Sequence, residues 1–259
     1  MKKPVLVLLF FLPAMLWAQS GFEGTWRFTP QSGQFGGKPD KFSLQNGMYQ
    51  CETCVPKIDV QADGKDHPRT GSPYSDAISV RVVDDRTIES VAKKNGKIVG
   101  TSKDTVSEDG KTLTTEWSFV SQSGQKGSGK TISTRVAAGP AGAHKASGTW
   151  QPQELESASD SIMGVTYKVT DGGLSMSDPT GDSYAAKFDG KDYPYKGDPG
   201  TTSVSLKKIN DHTIEETDKR DGKVVSVYRM TVSPDGRTMK VEGTDKLHGT
   251  TSTFEGQKQ

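Results

Sequence analysis

Apolar and polar residues alternate with a period of two along most of the chain. Leu113, Trp117 and Phe119 lie on one face of a predicted strand, and the intervening Thr, Glu and Ser residues lie on the other. The same alternation occurs in the stretches 78–82 and 204–206. Short alternating runs are typical of antiparallel strands with one buried face and one wet face. The pattern therefore predicts an all-β protein.

Asn-Gly and Asp-Gly pairs separate these runs. Such pairs favour type I′ hairpin turns, in which both central residues need positive φ. The pairs begin at Asn46, Asp63, Asn95, Asp109, Asp171, Asp189, Asp221 and Asp235. Strands joined by short hairpins in this way predict an antiparallel meander.

One block of sequence occurs twice. Residues 63–68 read Asp-Gly-Lys-Asp-His-Pro, and residues 189–194, displaced by 126 positions, read Asp-Gly-Lys-Asp-Tyr-Pro. Thr-Ile-Glu at 87–89 recurs at 213–215 with the same displacement. A repeat of this length indicates a duplicated folding unit. We expect each copy to form a meander of about seven to nine strands.

The two copies predict two domains of ordinary size. Residues 137–145, rich in Ala and Gly, are typical of a linker. The expected domains are therefore 19–136 and 146–259. Because a long meander hides its edges by closing on itself, each copy is expected to form an up-and-down barrel, with a β-sandwich as the alternative.

The first 18 residues have the pattern of a signal peptide. Lys2 and Lys3 precede an apolar run from Val5 to Leu12, and Ala18 offers a cleavage site. An uncleaved membrane anchor is the alternative. No later run approaches the length of a membrane span, so the mature chain is expected to lack one and to be periplasmic or extracellular.

The distribution of charge along the chain argues against a nucleic acid partner. The chain has 33 basic and 32 acidic residues, for a net charge of +1. Removing the two lysines of the signal peptide leaves the mature chain near −1. Because the two signs are interspersed, no basic patch indicates nucleic acid binding.

Gly-Thr-Trp begins each copy, with its tryptophan at Trp26 and Trp150. This motif resembles the first strand of lipocalins and other calycins. The resemblance implies a lipocalin-like barrel in which the tryptophan packs against a basic residue from the end of the barrel, and Arg135 would take that role in the first copy. We expect both tryptophans to be structural and to fill the base of their barrels.

Nearly all of the chain after residue 18 also resembles a set of uncharacterised secreted bacterial proteins, known from acidobacteria. These proteins share Phe-x-Gly-Thr-Trp and Asp-Gly-Lys-Asp-Tyr-Pro motifs, which occur here at 22–26 and 189–194. The resemblance implies no established activity.

Cys51 and Cys54 are the two cysteines of the chain. In an oxidising compartment they are expected to form a disulfide across a tight turn. A redox pair, a metal site and free thiols are the alternatives. A redox pair needs a helix N-terminus, and Val55 and Pro56 follow instead. Zinc needs about four ligands, and only His67 is near in sequence, so no metal site is assigned.

Residues 124–131 match the phosphate-binding pattern G-x-x-x-x-G-K-[ST]. That loop must lead into a helix, but Thr131 is followed by a run typical of a strand. We therefore expect a hairpin loop here and no nucleotide, and no other cofactor is predicted.

Asp66 and His67 would suit acid–base chemistry. The second copy has Tyr193 in place of His67, and no nucleophile or metal partner is evident. No catalytic residue is assigned, and the question of enzymatic activity stays open with a binding role favoured.

The paired turns after each repeated block would make a rigid loop suited to binding. The candidate residues for stacking on or bonding to a ligand are Asp66, His67, Tyr74, Asp192, Tyr193 and Tyr195. The alternative is that these residues only shape a long connection.

The sequence favours a non-enzymatic binding protein for an unknown small molecule or polymer. An envelope or cell-surface interaction module and a hydrolase or isomerase using Asp66 and His67 are the alternatives. The ligand and the oligomeric state are not set by the sequence. Because the shared residues are mainly turn formers and strand anchors, specific function is expected where the copies differ, or in the loop that follows Asp66 and Asp192.

Overall fold

The computed structural model describes residues 21–259, and its regular structure is almost entirely β-strand. The strands form two antiparallel barrels of ten strands, one closed and one nearly closed. The prediction of an all-β fold with two tandem barrels is confirmed. The predicted signal peptide lies outside the described residues. Within residues 21–259, no helix is long and apolar enough to cross a membrane.

The first copy contributes eleven strands to the described part of the chain. They are β1 (Gly24–Phe28), β2 (Gln34–Gly37), β3 (Asp40–Gln45), β4 (Met48–Cys51), β5 (Ile58–Gln61), β6 (His67–Pro68), β7 (Ala77–Val82), β8 (Thr87–Lys94), β9 (Lys97–Val106), β10 (Thr112–Val120) and β11 (Lys126–Ala138). A 3₁₀ turn, Pro30–Ser32, separates β1 from β2.

The second copy contributes ten strands to the same described part. They are β12 (Gly148–Ala158), β13 (Gly164–Thr170), β14 (Gly173–Ser177), β15 (Ser183–Lys187), β16 (Tyr193–Lys196), β17 (Ser203–Asn210), β18 (Thr213–Arg220), β19 (Lys223–Val232), β20 (Thr238–Asp245) and β21 (Thr250–Lys258). A 3₁₀ turn, Asp160–Ile162, separates β12 from β13.

Each barrel is a ring of neighbouring antiparallel strands. The first runs β5-β4-β3-β12-β11-β10-β9-β8-β7-β6, and a bridge between Asp63 and Arg81 brings its ends together. The second runs β1-β13 and then in order to β21, which pairs with β1 and closes the ring. Each barrel has more strands than the predicted seven to nine, because short strands such as β6 and β16 follow turns that carry little apolar pattern.

The two copies exchange their first strands. β1, from the first copy, pairs with β13 and β21 in the second barrel. β12, from the second copy, pairs with β11 and β3 in the first barrel. The predicted linker, residues 137–145, lies at the turn of the β11–β12 hairpin, where the His144 amide donates to the Leu44 carbonyl at 2.8 Å. The chain therefore passes between the barrels after β12, not after β11.

Both tryptophans are buried, as predicted, but each lies in the barrel of the other copy. Trp26 is in the core of the second barrel and Trp150 in the core of the first. Arg135 was predicted to pack against Trp26, and this is wrong. Its guanidinium lies 4.0 Å from the ring centre of Trp150, and Lys258 lies 4.9 Å from that of Trp26. The exchange of first strands causes the difference.

The hairpin turns fall into two types. Asn95-Gly96 and its counterpart Asp221-Gly222 have positive φ at both residues, as type I′ requires, and Asn46-Gly47 does too. At the other five pairs only glycine has positive φ, so the type I′ prediction is wrong there. At four of the five, the Asp carboxylate accepts a hydrogen bond from the backbone amide two residues later. The Lys111 amide, for example, donates to Asp109 at 3.1 Å. An Asx turn thus replaces the type I′ turn.

Cys51 and Cys54 form a disulfide between β4 and β5, with their Cα atoms 5.5 Å apart. The predicted disulfide is confirmed. Cys51 is buried in the core of the first barrel, and Cys54 packs against that core. Residues 124–131, which match the phosphate-binding pattern, lie at the β10–β11 hairpin as expected.

Removing the disulfide is expected to destabilise the first barrel only modestly. Since the closed loop is very short, loop-closure entropy gives about 2 kcal/mol at most. A Cys51→Ser, Cys54→Ser double variant should therefore unfold at slightly lower urea concentration and stay folded at 25 °C. Global unfolding of this variant in buffer would contradict the expectation.

Candidate ligand-binding site

Asp66 and Asp192 are held by equivalent ion pairs. The Lys93 ammonium lies 2.7 Å from Asp66, and the Lys219 ammonium lies 2.5 Å from Asp192. All four residues are related by the displacement of 126 positions. The two predicted binding residues therefore have the same local structural partner in each copy.

His67 and Tyr193 also share one local role. The His67 ring bonds to Asp63 at 2.8 Å, and the Tyr193 hydroxyl donates to Asp189 at 3.0 Å. The hydrogen bond from His67 lowers the pKa of the Asp63 carboxyl. Histidine and tyrosine thus serve as alternative partners for the aspartate of the same turn.

Tyr74 and Tyr195 lie in different surroundings. Tyr74 is 53% exposed and contacts Gly200 in the second barrel. Partial burial, the negative charge of Asp198 and a hydrogen bond to Asp198 raise the pKa of Tyr74. Tyr195 packs against the core of the second barrel. The six predicted residues are therefore spread over both barrels, and only Tyr195 reaches the cavity described next.

A cavity of about 420 Å³ lies in the second barrel. Aromatic and aliphatic side chains supply most of its walls, and two carboxyl groups, Glu216 and Asp218, interrupt them. The apolar wall residues are Phe28, Leu155, Ile162, Met163, Val165, Tyr167, Tyr195, Tyr228, Met230, Val241 and Phe254. Its volume falls within the range of small-molecule sites.

The exchanged strands take part in this cavity. Phe28 is at the end of β1, which comes from the first copy, and Leu155 is on β12, which belongs to the first barrel. The site is therefore built by both copies and by both barrels.

Glu216 and Asp218 face inward because of their place on β18. The side chains of Ile214, Glu216 and Asp218 alternate with Glu215 and Thr217 along this strand, and all three inward residues are buried. Each of the two carboxyl-bearing residues is 6% exposed.

The two carboxyl groups have few hydrogen-bond donors. The Tyr184 hydroxyl donates to Glu216, and the Ser226 hydroxyl donates to Oδ2 of Asp218 at 3.1 Å. Oδ1 of Asp218 is buried and has no donor among residues 21–259 when both carboxyl groups are ionised. A proton on Glu216 allows a hydrogen bond between the two carboxyl groups.

Burial raises the pKa of both carboxyl groups. For Glu216, the negative charge of Asp218 adds to this effect. For Asp218, the hydrogen bonds from Ser226 and Glu216 oppose the rise, and the charge of Asp198 adds to it. No lysine, arginine or histidine of the described chain is among the groups that shift either pKa. The pair is thus an uncompensated acidic centre in apolar walls.

The first barrel has a different interior. Ser90 and Ala92 occupy the positions equivalent to Glu216 and Asp218. Asp104 of this barrel is half-buried, accepts a hydrogen bond from the Thr115 hydroxyl at 2.6 Å and has a pKa raised by burial. Met230 stands at the equivalent position of the second barrel. The carboxyl pair is therefore a feature of the second copy.

The sequence contains a pattern that indicates the pair, although the prediction missed it. Alternation from Ile214 places Glu216 and Asp218 on the apolar face of β18. The neighbouring Glu215 belongs to the repeated Thr-Ile-Glu, and its counterpart Glu89 pairs with Arg81 on the outer face of the first barrel. The carboxyl pair lies where the copies differ, which is where the sequence predicts specific function.

Comparison with known proteins adds no relative. No family model matches the chain, and no curated protein matches its sequence.

Proposed function

We propose that this chain is a secreted or periplasmic, non-enzymatic binding protein that holds a small ligand in the cavity of the second barrel. One observation carries the proposal: a cavity of about 420 Å³ has mainly apolar walls and a buried pair of carboxyl groups. A few converging polar groups in an apolar cavity are typical of sites for small molecules. A ligand that fills such a cavity also supplies the van der Waals contacts that its apolar walls otherwise lack.

Two features support a lipocalin-like form of this function. A tryptophan in the first strand of each barrel lies beneath a cationic side chain, Lys258 on β21 or Arg135 on β11. Each barrel is also an antiparallel ring around its own core. Ten strands differ from the eight of a lipocalin barrel and make a wider ring.

The disulfide supports the location. Such bonds persist in oxidising compartments, and Cys51–Cys54 agrees with the export that residues 1–18 predict. The resemblance to secreted bacterial proteins with the Phe-x-Gly-Thr-Trp motif belongs to the same proposal.

Binding is tested with N-phenyl-1-naphthylamine, an uncharged fluorescent probe of apolar cavities. We expect saturable, blue-shifted fluorescence with one site per chain. Val165→Phe, which adds bulk to a cavity wall on β13, should weaken binding at least tenfold. Val169→Phe is the matched control, because Val169 is on the same strand and 42% exposed.

Absence of saturable fluorescence would contradict the proposal. So would equal affinity of the probe for the two valine variants, since a site elsewhere on the chain would not distinguish them.

A further inference from the structure

The carboxyl pair of the second barrel has no cationic partner. A buried carboxylate is costly unless a counter-charge and hydrogen bonds compensate it. Here Asp218 is nine-tenths buried and faces the cavity, and its Oδ1 has no donor among the described residues when both carboxyl groups are ionised. The site therefore presents acceptor atoms that the protein itself does not satisfy.

Every titratable group around the pair is neutral or acidic. Tyrosines face it from four strands: Tyr167 on β13, Tyr184 on β15, Tyr195 on β16 and Tyr228 on β19. Asp178, Asp182 and Asp198, in the loops near these strands, add negative charge, and Asp182 has a pKa raised to about 7 by burial and by the other aspartates. The cavity thus has a negative potential that favours a cation.

We infer that the ligand of this cavity carries a protonated amine, held by Glu216 and Asp218, on an apolar or aromatic body. The inference rests on the proposed function and specifies its ligand class. An ammonium group supplies three donors, which suit the free oxygen of Asp218 and the carboxyl of Glu216. The tyrosine rings supply faces that attract a cation, and the apolar walls accommodate the body.

A metal cation fits this site less well. Calcium takes six to eight oxygen ligands, and magnesium keeps several waters. Within residues 21–259, no group of three or more His, Cys, Asp or Glu side chains is arranged to hold a metal ion. Two carboxyl groups in walls of tyrosine, methionine and valine suit an organic cation better than a hydrated ion.

Amine binding is coupled to the loss of a proton. Without ligand, burial favours a proton on the pair, and a bound ammonium favours ionisation of both carboxyl groups. Affinity for an amine should therefore rise between pH 5 and pH 8, and binding should release protons. A neutral ligand of the same shape should show little change over this range.

Isothermal titration calorimetry with three probes of similar shape tests the inference. They are 2-phenylethylamine, which is cationic, 2-phenylethanol, which is neutral, and 3-phenylpropionate, which is anionic. We expect the amine to bind at least tenfold more tightly than the alcohol at pH 8, and the anion to bind most weakly. At pH 5 the advantage of the amine over the alcohol should shrink.

Glu216→Gln combined with Asp218→Asn should weaken amine binding at least tenfold more than it weakens binding of the alcohol. These substitutions keep the shape of the side chains, so folding is retained. Glu215→Gln, one residue away on the outer face of β18, is the matched control and should leave amine affinity unchanged.

Two failures are distinguishable. If N-phenyl-1-naphthylamine binds but the three probes bind equally, or the double variant keeps full amine affinity, the amine inference is overturned and binding in the cavity stands. If N-phenyl-1-naphthylamine does not bind and none of the three probes binds, the proposed function itself fails.

Discussion

Replacing Trp26 with alanine is expected to destabilise the second barrel by about 3–5 kcal/mol, the usual cost of removing a buried tryptophan. Trp26 is fully buried in the core of that barrel and donates its indole hydrogen to the Phe22 carbonyl at 2.8 Å. Hydrogen exchange should accelerate in β14, β18 and β20, while β8, β9 and β10 of the first barrel keep their protection. Mass spectrometry of peptic fragments measures both sets of strands in one experiment.

Trp150→Ala is the matched variant and should give the reverse pattern. Trp150 is 1% exposed in the core of the first barrel and donates to the Ala146 carbonyl at 2.9 Å. If an alanine variant unfolds the whole chain, Trp26→Phe or Trp150→Phe takes its place. Phenylalanine leaves a smaller cavity and should accelerate hydrogen exchange in the same barrel. Faster exchange in the first barrel on changing Trp26 would contradict the exchange of first strands.

Neutralising the carboxyl pair is expected to stabilise the protein at alkaline pH. The native pKa of Glu216 and of Asp218 is raised, so the native state holds protons that the unfolded chain has released. The stability contributed by the two carboxyl groups is therefore largest when the pH is below their pKa values in the unfolded chain. It falls as the pH rises through their pKa values in the native state. At pH 8 the Glu216→Gln, Asp218→Asn variant should exceed the parent by roughly 2–4 kcal/mol in free energy of unfolding.

Urea unfolding at pH 4 and pH 8 measures this effect as a difference between parent and variant. Other titrating groups, such as the His248–Asp245 pair, are common to both proteins and cancel in the comparison. The Glu215→Gln variant should show no comparable gain at pH 8. A double variant that is less stable than the parent at pH 8 would contradict the buried, uncompensated state of the pair.

The sequence predicts the building blocks of this fold well. Hairpin signals such as Asn95-Gly96 and the period of two lead to antiparallel strands, because both depend on local backbone conformation. The repeat predicts two barrels, and the close spacing of Cys51 and Cys54 predicts their disulfide. Burial of Trp26 and Trp150 follows from their size.

The partner of each first strand could not be predicted. Trp26 and Trp150 lie in equivalent Gly-Thr-Trp strands, each with a carbonyl acceptor four residues earlier and a cation over the ring. Because the two strands satisfy the same local requirements, either barrel would accept either one. The choice depends on long-range packing, which composition and periodicity do not reveal.

The buried carboxyl pair was not predicted, for a different reason. Glu215, Glu216 and Asp218 form an acidic stretch, which usually indicates a solvated strand face. Only the register set by Ile214 shows that two of the three carboxyl groups face the core. Among the predicted candidates, His67 and Tyr193 bond to aspartates of their own turns, and Asp66 and Asp192 pair with lysines on β8 and β18. Their role in binding stays a prediction.

Direct observation of the bound ligand tests the central claim that the second barrel binds a small molecule at its carboxyl pair. With methyl-labelled protein and 2-phenylethylamine at pH 8, we predict nuclear Overhauser contacts from the ligand to the methyl groups of Met163, Met230 and Val165, which line the cavity. Val80 and Leu113, in the core of the first barrel, should show none. Contacts to the first barrel alone, or none to either barrel at saturating ligand, would contradict the claim.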